Sequence, residues 1–160
     1  MSKAVLEYGF AEAERAAIAW LFTEYEAAIG VSLCFQNFSA EVASLPGSYA
    51  PPGGQLILAR AALGEGLVGC VGLRAVAGAP DLCELKRLYV RPSARGSGLG
   101  RRLVLAALLE ARRLGYARIC LDTLPSMQAA QALYRALGFR HTGISRSEPA
   151  VLLFERELGA

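Results

Sequence analysis

Arg95-Gly96-Ser97-Gly98-Leu99-Gly100 constrains this chain more than any other stretch. It follows an apolar, strand-like run and opens a long helical pattern. Three glycines in five residues leave the backbone bare, so several N–H groups can converge on one anion. A helix N-terminus behind them adds a partial positive charge. Arginines at 91, 95, 101 and 102 surround the turn. The stretch reads as a pyrophosphate cradle and points to a nucleotide-like cofactor.

A chain of 160 residues suits one domain with a sizeable core. Apolar content of 54% against 19% charged residues argues for a compact globule. The apolar runs fall short of a membrane span, so no membrane partner is expected. The start, Met1-Ser2-Lys3-Ala4-Val5, lacks a signal-peptide pattern. The expected location is the cytoplasm. A net charge of +3 does not suggest nucleic acid. Its distribution says more: six basic residues and no acidic ones lie between Lys86 and Arg102. Packed around a glycine turn, they point to a discrete multiply charged ligand, and otherwise to a solvated face.

The cysteines are Cys34, Cys70, Cys83 and Cys120, with one histidine, His141. None has C-x-x-C spacing, so no metal site is expected. Cys70, Cys83 and Cys120 sit in strand-like runs as small hydrophobes.

The pattern predicts a short strand at 3–8 and a helix at 11–29 with Ala16, Ala17, Trp20, Leu21 and Tyr25 on its buried face. Gly30 caps it. Ser39 would cap a short helix through Leu45. Residues 46–54 are a loop by composition. Strands follow at 55–62, 66–77 and 82–91, turning at Leu63-Gly64-Glu65 and Ala79-Pro80-Asp81. Such short turns imply an antiparallel meander. A helix at 99–114, a strand at 117–122, a helix from a Ser126 cap to Leu137, and strands at 139–144 and 150–157 complete the chain. His141 reads as a surface residue.

Two cofactor classes compete for the glycine turn. A dinucleotide site uses G-x-G-x-x-G with an acidic residue about twenty positions on. Here the spacing is G-x-G-x-G, although Asp122 does end the next strand. The meander before the turn is also wrong for a first βαβ unit.

The turn instead resembles the hallmark of the GNAT superfamily of N-acetyltransferases: Arg or Gln, two residues, Gly, one residue, then Gly or Ala. The similarity extends to the Glu84-Leu85-Lys86-Arg87-Leu88-Tyr89-Val90 strand and to Ala130–Phe139, and is specific over about residues 55–143. The N-terminal third fits only the general plan. The resemblance implies an α/β fold. A mixed central sheet of about six to seven strands, with an antiparallel N-terminal meander, is flanked by about four helices in one domain over 1–160.

The resemblance also implies acetyl-CoA as co-substrate, with no metal. Its pyrophosphate would lie on Arg95, Gly96, Ser97, Gly98, Leu99, Gly100 and Arg101. The backbone of Leu88, Tyr89 and Val90 would pair with the pantetheine arm. Alternation fails at these three residues, which fits a bulge, and one N–H there would face the thioester carbonyl. An amine acceptor, with a pKa of about 10, must lose a proton to react. Glu84, inside an apolar strand, is the candidate base, against a plain ion pair with Lys86 or an arginine. Tyr134 takes the place of the family's general acid. Met127 stands where many members carry a cofactor-binding Asn, so that role is not carried over. Phe35, Tyr49 and Asp122 are candidate acceptor-pocket residues, with Asp122 otherwise a turn cap. The acceptor would be a small-molecule or peptide amine, and the family admits a homodimer. Two other classes stay open: a catalytically silent acyl-CoA-binding module and an NAD(P)-binding oxidoreductase.

Overall fold

The computed structural model describes residues 3–33, 36–64 and 66–159. A seven-stranded sheet runs through the molecule in the order β1-β2-β3-β4-β5-β7-β6. Its strands are β1 (Val5–Tyr8), β2 (Gln55–Arg60), β3 (Leu67–Val76), β4 (Ala79–Val90), β5 (Arg118–Thr123), β6 (Arg140–Ile144) and β7 (Leu152–Glu157). All neighbours are antiparallel except β4 and β5. The meander predicted before the glycine turn is therefore present, lengthened by β1. Four helices flank the sheet among the described residues: α1 (Arg15–Ile29), α2 (Phe38–Ala43), α3 (Leu99–Arg113) and α4 (Gln128–Ala136). None is long and apolar enough to cross a membrane.

Two cores form, one on each face. Leu103, Val104, Ala107, Leu108 and Ala111 of α3 pack with Val71, Leu85, Ile119, Leu121 and Phe154. Ile18, Leu21 and Phe22 of α1 pack with Phe38, Tyr49, Leu56, Leu58 and Tyr89. The buried face of α1 differs from the expected one. Trp20 is 63% exposed, and the stripe runs through Ile18, Leu21, Phe22 and Tyr25. That set recurs at three- and four-residue steps equally well and carries more branched and aromatic bulk.

Local departures from the predicted bounds have local causes. The β3–β4 turn is Ala77-Gly78, with Gly78 at φ +79°, while Ala79–Asp81 already belong to β4. A two-residue hairpin needs positive φ, which glycine supplies. The cap of α2 is Asn37, in the left-handed region, with Ser39 inside the helix. Met127, not Ser126, precedes α4.

One irregularity organises the rest. Cys70 pairs with Tyr89 and Gly72 with Lys86, so Val71 alone faces both Arg87 and Leu88. This is a bulge, one position earlier than the alternation suggested. Arg87 adopts φ +60°, a region that costs a non-glycine residue about 1–2 kcal/mol. The extra residue turns Lys86 and Arg87 to the same side, under α1 and α2. It also restores alternation, with Tyr89 toward α1 and Leu88 and Val90 toward α3.

Candidate functional site

Strands β4 and β5 pair through only three positions, Leu82 with Arg118, Cys83 with Ile119 and Glu84 with Cys120. Beyond Glu84 the two strands part, and the bulge bends β4 away from β5. The opening leads into a groove of about 480 Å³ lined by Leu88, Tyr89, Val90, Arg95, Gly100, Met127, Ala130 and Leu133. Val90, Arg95, Gly100 and Leu133 also border a second hollow of about 290 Å³ over Gly96, Gly98, Leu99 and Arg101. The glycine turn and the splayed strands thus lie along one continuous channel.

At the turn, Gly96 and Gly98 take φ of +78° and +79°, and Gly98 caps α3. The first helical bond runs from the Arg102 N–H to the Gly98 carbonyl. The amides of Leu99, Gly100 and Arg101 therefore point out of the helix end without helical acceptors. Three N–H donors and the helix dipole make an anion seat. Ser97 is less available, since its hydroxyl donates to the Ala94 carbonyl at 2.6 Å. Arg95 donates to the Val90 carbonyl at 2.9 Å and lies over the Tyr89 ring.

The basic cluster divides. Lys86 and Arg87 point away from the turn. Arg91 is held by Glu24 and the Leu67 carbonyl, and Arg102 by the Ala4 carbonyl. Arg95 and Arg101 remain to line the anion seat. Linear spacing could not separate these fates, because the partners lie far away in sequence.

A small cavity closes the vertex of the splay, lined by Tyr25, Gln36, Lys86, Arg87, Asp122, Met127 and Tyr134 among others. Tyr134 is buried, with its ring edge-on to Phe139 at 5.7 Å. Burial raises its phenol above the ordinary value, with the charge of Asp122 adding a smaller push. It stays protonated near neutral pH. Its hydroxyl makes no hydrogen bond to another described residue and, since no fully buried polar side-chain atom among them lacks a partner, it opens onto the cavity.

Glu84 does not line this cavity. Its carboxylate accepts from Arg74 at 2.9 Å and stands 4.0 Å from the Lys86 ammonium. Asp122 does line it, accepting from Lys86 at 3.3 Å and from Gln36 at 3.4 Å. Gln36 accepts from both Lys86 and Arg87, at 3.1 and 2.8 Å. Glu41 accepts two bonds from Arg87 and one from Tyr49. Burial pushes the Glu41 carboxyl up, but the hydrogen bond and charge of Arg87 outweigh it and hold the group low.

Tyr49 is fully buried and borders a separate polar hollow beside α2, away from the vertex. Phe35 lies outside the described residues. His141 is exposed, against the Phe154 ring. Burial pushes the thiols of Cys70 and Cys83 up to about 12 and that of Cys120 up to about 11, so none is a ready nucleophile. Among the described residues no group of acidic, His and Cys side chains is gathered for a metal ion. Sequence reading missed Gln36, Tyr25 and Arg74. Gln36 carried no local signal, since its partners sit 50 to 86 residues on.

The sequence model of the Acetyltransferase (GNAT) family matches residues 15–139. An uncharacterized N-acetyltransferase of Schizosaccharomyces pombe is 42% identical over 122 residues, 76% of this chain and 74% of that protein. An uncharacterized N-acetyltransferase of Escherichia coli K12, YjgM, is 41% identical over 76 residues, 47% of this chain and 46% of its own. A GNAT-family acetyltransferase structure from Staphylococcus aureus superposes with a TM-score of 0.79 over 96% of this chain and 99% of that one. At 18% identity it speaks for the fold alone. The family match over most of the chain, the parted β4 and β5, and the glycine turn at the start of α3 agree: this chain belongs to the GNAT acetyltransferase family.

Proposed function

We propose that the chain is an acetyl-CoA-dependent N-acetyltransferase that moves the acetyl group to a primary amine by direct attack. The observation that carries the proposal is the continuous channel from the α3 amides to the vertex where Tyr134 and Asp122 meet. The chain's groups fit the co-substrate along its length. The amides of Leu99, Gly100 and Arg101, with Arg95 and Arg101, suit a pyrophosphate. The side of β4 that faces β5 has no strand partner beyond Glu84, which suits an extended amide-bearing arm. Acetyl-CoA, when bound, supplies a thioester.

At the vertex, N–H groups of the bulged strand face the developing oxyanion. The amine nitrogen forms the new bond to the carbonyl carbon as the carbon–sulfur bond breaks. Tyr134 gives its proton to the departing thiolate. A phenol held above its ordinary pKa is a weak acid, but the same dry surroundings make the thiolate more basic. Glu84 takes the amine's proton through a bridging water. A second reading gives that proton to Asp122, because Asp122 lines the cavity directly and Glu84 does not.

The test is free CoA release from acetyl-CoA with a panel of amines, run on Glu84→Gln, Asp122→Asn and Tyr134→Phe. Whichever carboxylate variant loses more of kcat at neutral pH carried the base. Turnover untouched in all three defeats the mechanism. Acetyl-CoA binding with no turnover of any amine favours a silent binding module. NAD binding without acetyl-CoA binding defeats the acyl-transfer reading.

A further inference from the structure

Resting on the acyl-transfer reading, we propose that the acceptor is an apolar α-amino acid bound as its zwitterion, with its ammonium against Asp122 and its carboxylate against Lys86. Three observations point there.

First, opposite charges stand side by side on the cavity wall. Lys86 Nζ and Asp122 Oδ2 are 3.3 Å apart, and both residues line the vertex. The ammonium and carboxylate of an α-amino acid are separated by about 3 Å, so such a molecule can lie antiparallel to the pair and meet each charge with its opposite.

Second, both groups keep unused bonding capacity. Lys86 is only 4% exposed and carries three N–H donors. Gln36 takes one and Asp122 another, while Glu84 at 4.0 Å lies beyond hydrogen-bond length. Asp122 accepts one bond on each oxygen, leaving lone pairs on both.

Third, the ion-paired side chains at the vertex already balance one another. Glu41, Glu84 and Asp122 balance Arg74, Lys86 and Arg87. An acceptor with a net charge would leave an uncompensated charge in a poorly hydrated site. A polyamine would do so, and a zwitterion does not. The vertex cavity, about 30 Å³, has room for the charged end of the acceptor alone, and it shares Tyr25, Ile29, Leu88 and Met127 with the wider apolar groove, into which an apolar side chain would extend.

The chemistry balances. The ammonium gives one proton to the base, its nitrogen bonds to the carbonyl carbon, the carbon–sulfur bond breaks as the thiolate takes the Tyr134 proton, and the second proton lost from the nitrogen restores the Tyr134 phenol. The N-acetyl amino acid has lost its cationic end and carries a net negative charge. It no longer matches the charge-balanced site, which favours release.

The experiment compares matched acceptors with the intact protein: leucine, methionine and phenylalanine, their primary amides, and their decarboxylated amines, each with acetyl-CoA and CoA release as the readout. The free amino acids are expected to exceed both partners in kcat/KM by about tenfold or more. Lys86→Gln should bring the kcat/KM ratio of each amino acid to its decarboxylated amine down to about one, whatever it does to overall turnover. If Lys86→Gln does not fold, the wild-type series decides alone. Amides or decarboxylated amines used as well as the amino acids would overturn the proposal and leave acyl transfer standing. Inactivity of all nine acceptors, with other amines acetylated, overturns it equally. Failure to bind acetyl-CoA would overturn both.

Discussion

Arg87 donates two hydrogen bonds to the Glu41 carboxylate, at 2.8 Å from Nε and 3.0 Å from Nη2, across 46 residues of chain. The pair joins the bulge of β4 to α2, and so fixes the wall of the vertex to the floor. Its charge-assisted, two-pronged geometry offsets the left-handed backbone at Arg87. The Phe38 ring 5.0 Å from the guanidinium adds a cation–π contact.

Glu41→Gln should therefore destabilise the protein by roughly 3 kcal/mol, because it leaves a buried guanidinium without its anion. Urea unfolding measures this. The same pair predicts a pH dependence. The folded Glu41 carboxyl titrates below its ordinary value of 4.5. Its contribution is fully present above that ordinary value and is lost as pH falls through the lower folded value. Unfolding free energy should drop on acidification in the wild type, and less steeply in Glu41→Gln.

Gly72 lies beneath Tyr49. A Cβ there would stand 2.6 Å from Cε1 and 2.7 Å from Cδ1 of the ring. Gly72→Ala should cost about 1–3 kcal/mol of stability by overpacking. It should also displace the Tyr49 hydroxyl from Glu41, which it meets at 3.0 Å. Thermal unfolding of Gly72→Ala beside Tyr49→Phe tests this: the first should fall further than the second.

At the anion seat, Gly98 has open space around an added Cβ but φ +79°. Gly98→Ala should weaken acetyl-CoA binding through the strained turn, by about tenfold for roughly 1.4 kcal/mol of distortion. Calorimetric titration with CoA should show the loss. An unchanged Kd would remove the turn from the binding site.

Tyr134 offers a separation of structure from chemistry. Its hydroxyl has no hydrogen-bond partner among the described residues, so Tyr134→Phe should leave unfolding within about 0.5 kcal/mol of wild type. Loss of a positioned proton donor should lower kcat by about a hundredfold or more, with KM little changed. Equal kcat in both proteins would assign the thiolate's proton to another source.

The sequence carried much of the architecture, for reasons that can be named. Glycines at 96 and 98 permit the left-handed backbone the turn adopts, and the apolar spacing from Leu103 to Ala111 commits that stretch to one helix face. Short turns between strands force antiparallel neighbours. The bulge was only half legible. Broken alternation at Leu88–Val90 signalled it, but the doubled residues are Arg87 and Leu88, one position earlier. The face of α1 was misread because two stripes share the same period, and only packing against β2 and β3 chooses Ile18 and Phe22 over Trp20.

What the sequence by itself determined is the local backbone: the glycine turn, the helix that starts from it, the order of strands, and the family resemblance those features carry. Only the tertiary structure decided the charges. Six basic residues look alike in a row, yet Arg101 lines the anion seat, Arg91 holds Glu24, and Arg87 and Lys86 turn inward to Glu41, Gln36 and Asp122. Backbone preference is set by neighbours a few residues away. A charge settles on whichever partner the fold brings within about 4 Å, however distant in the chain.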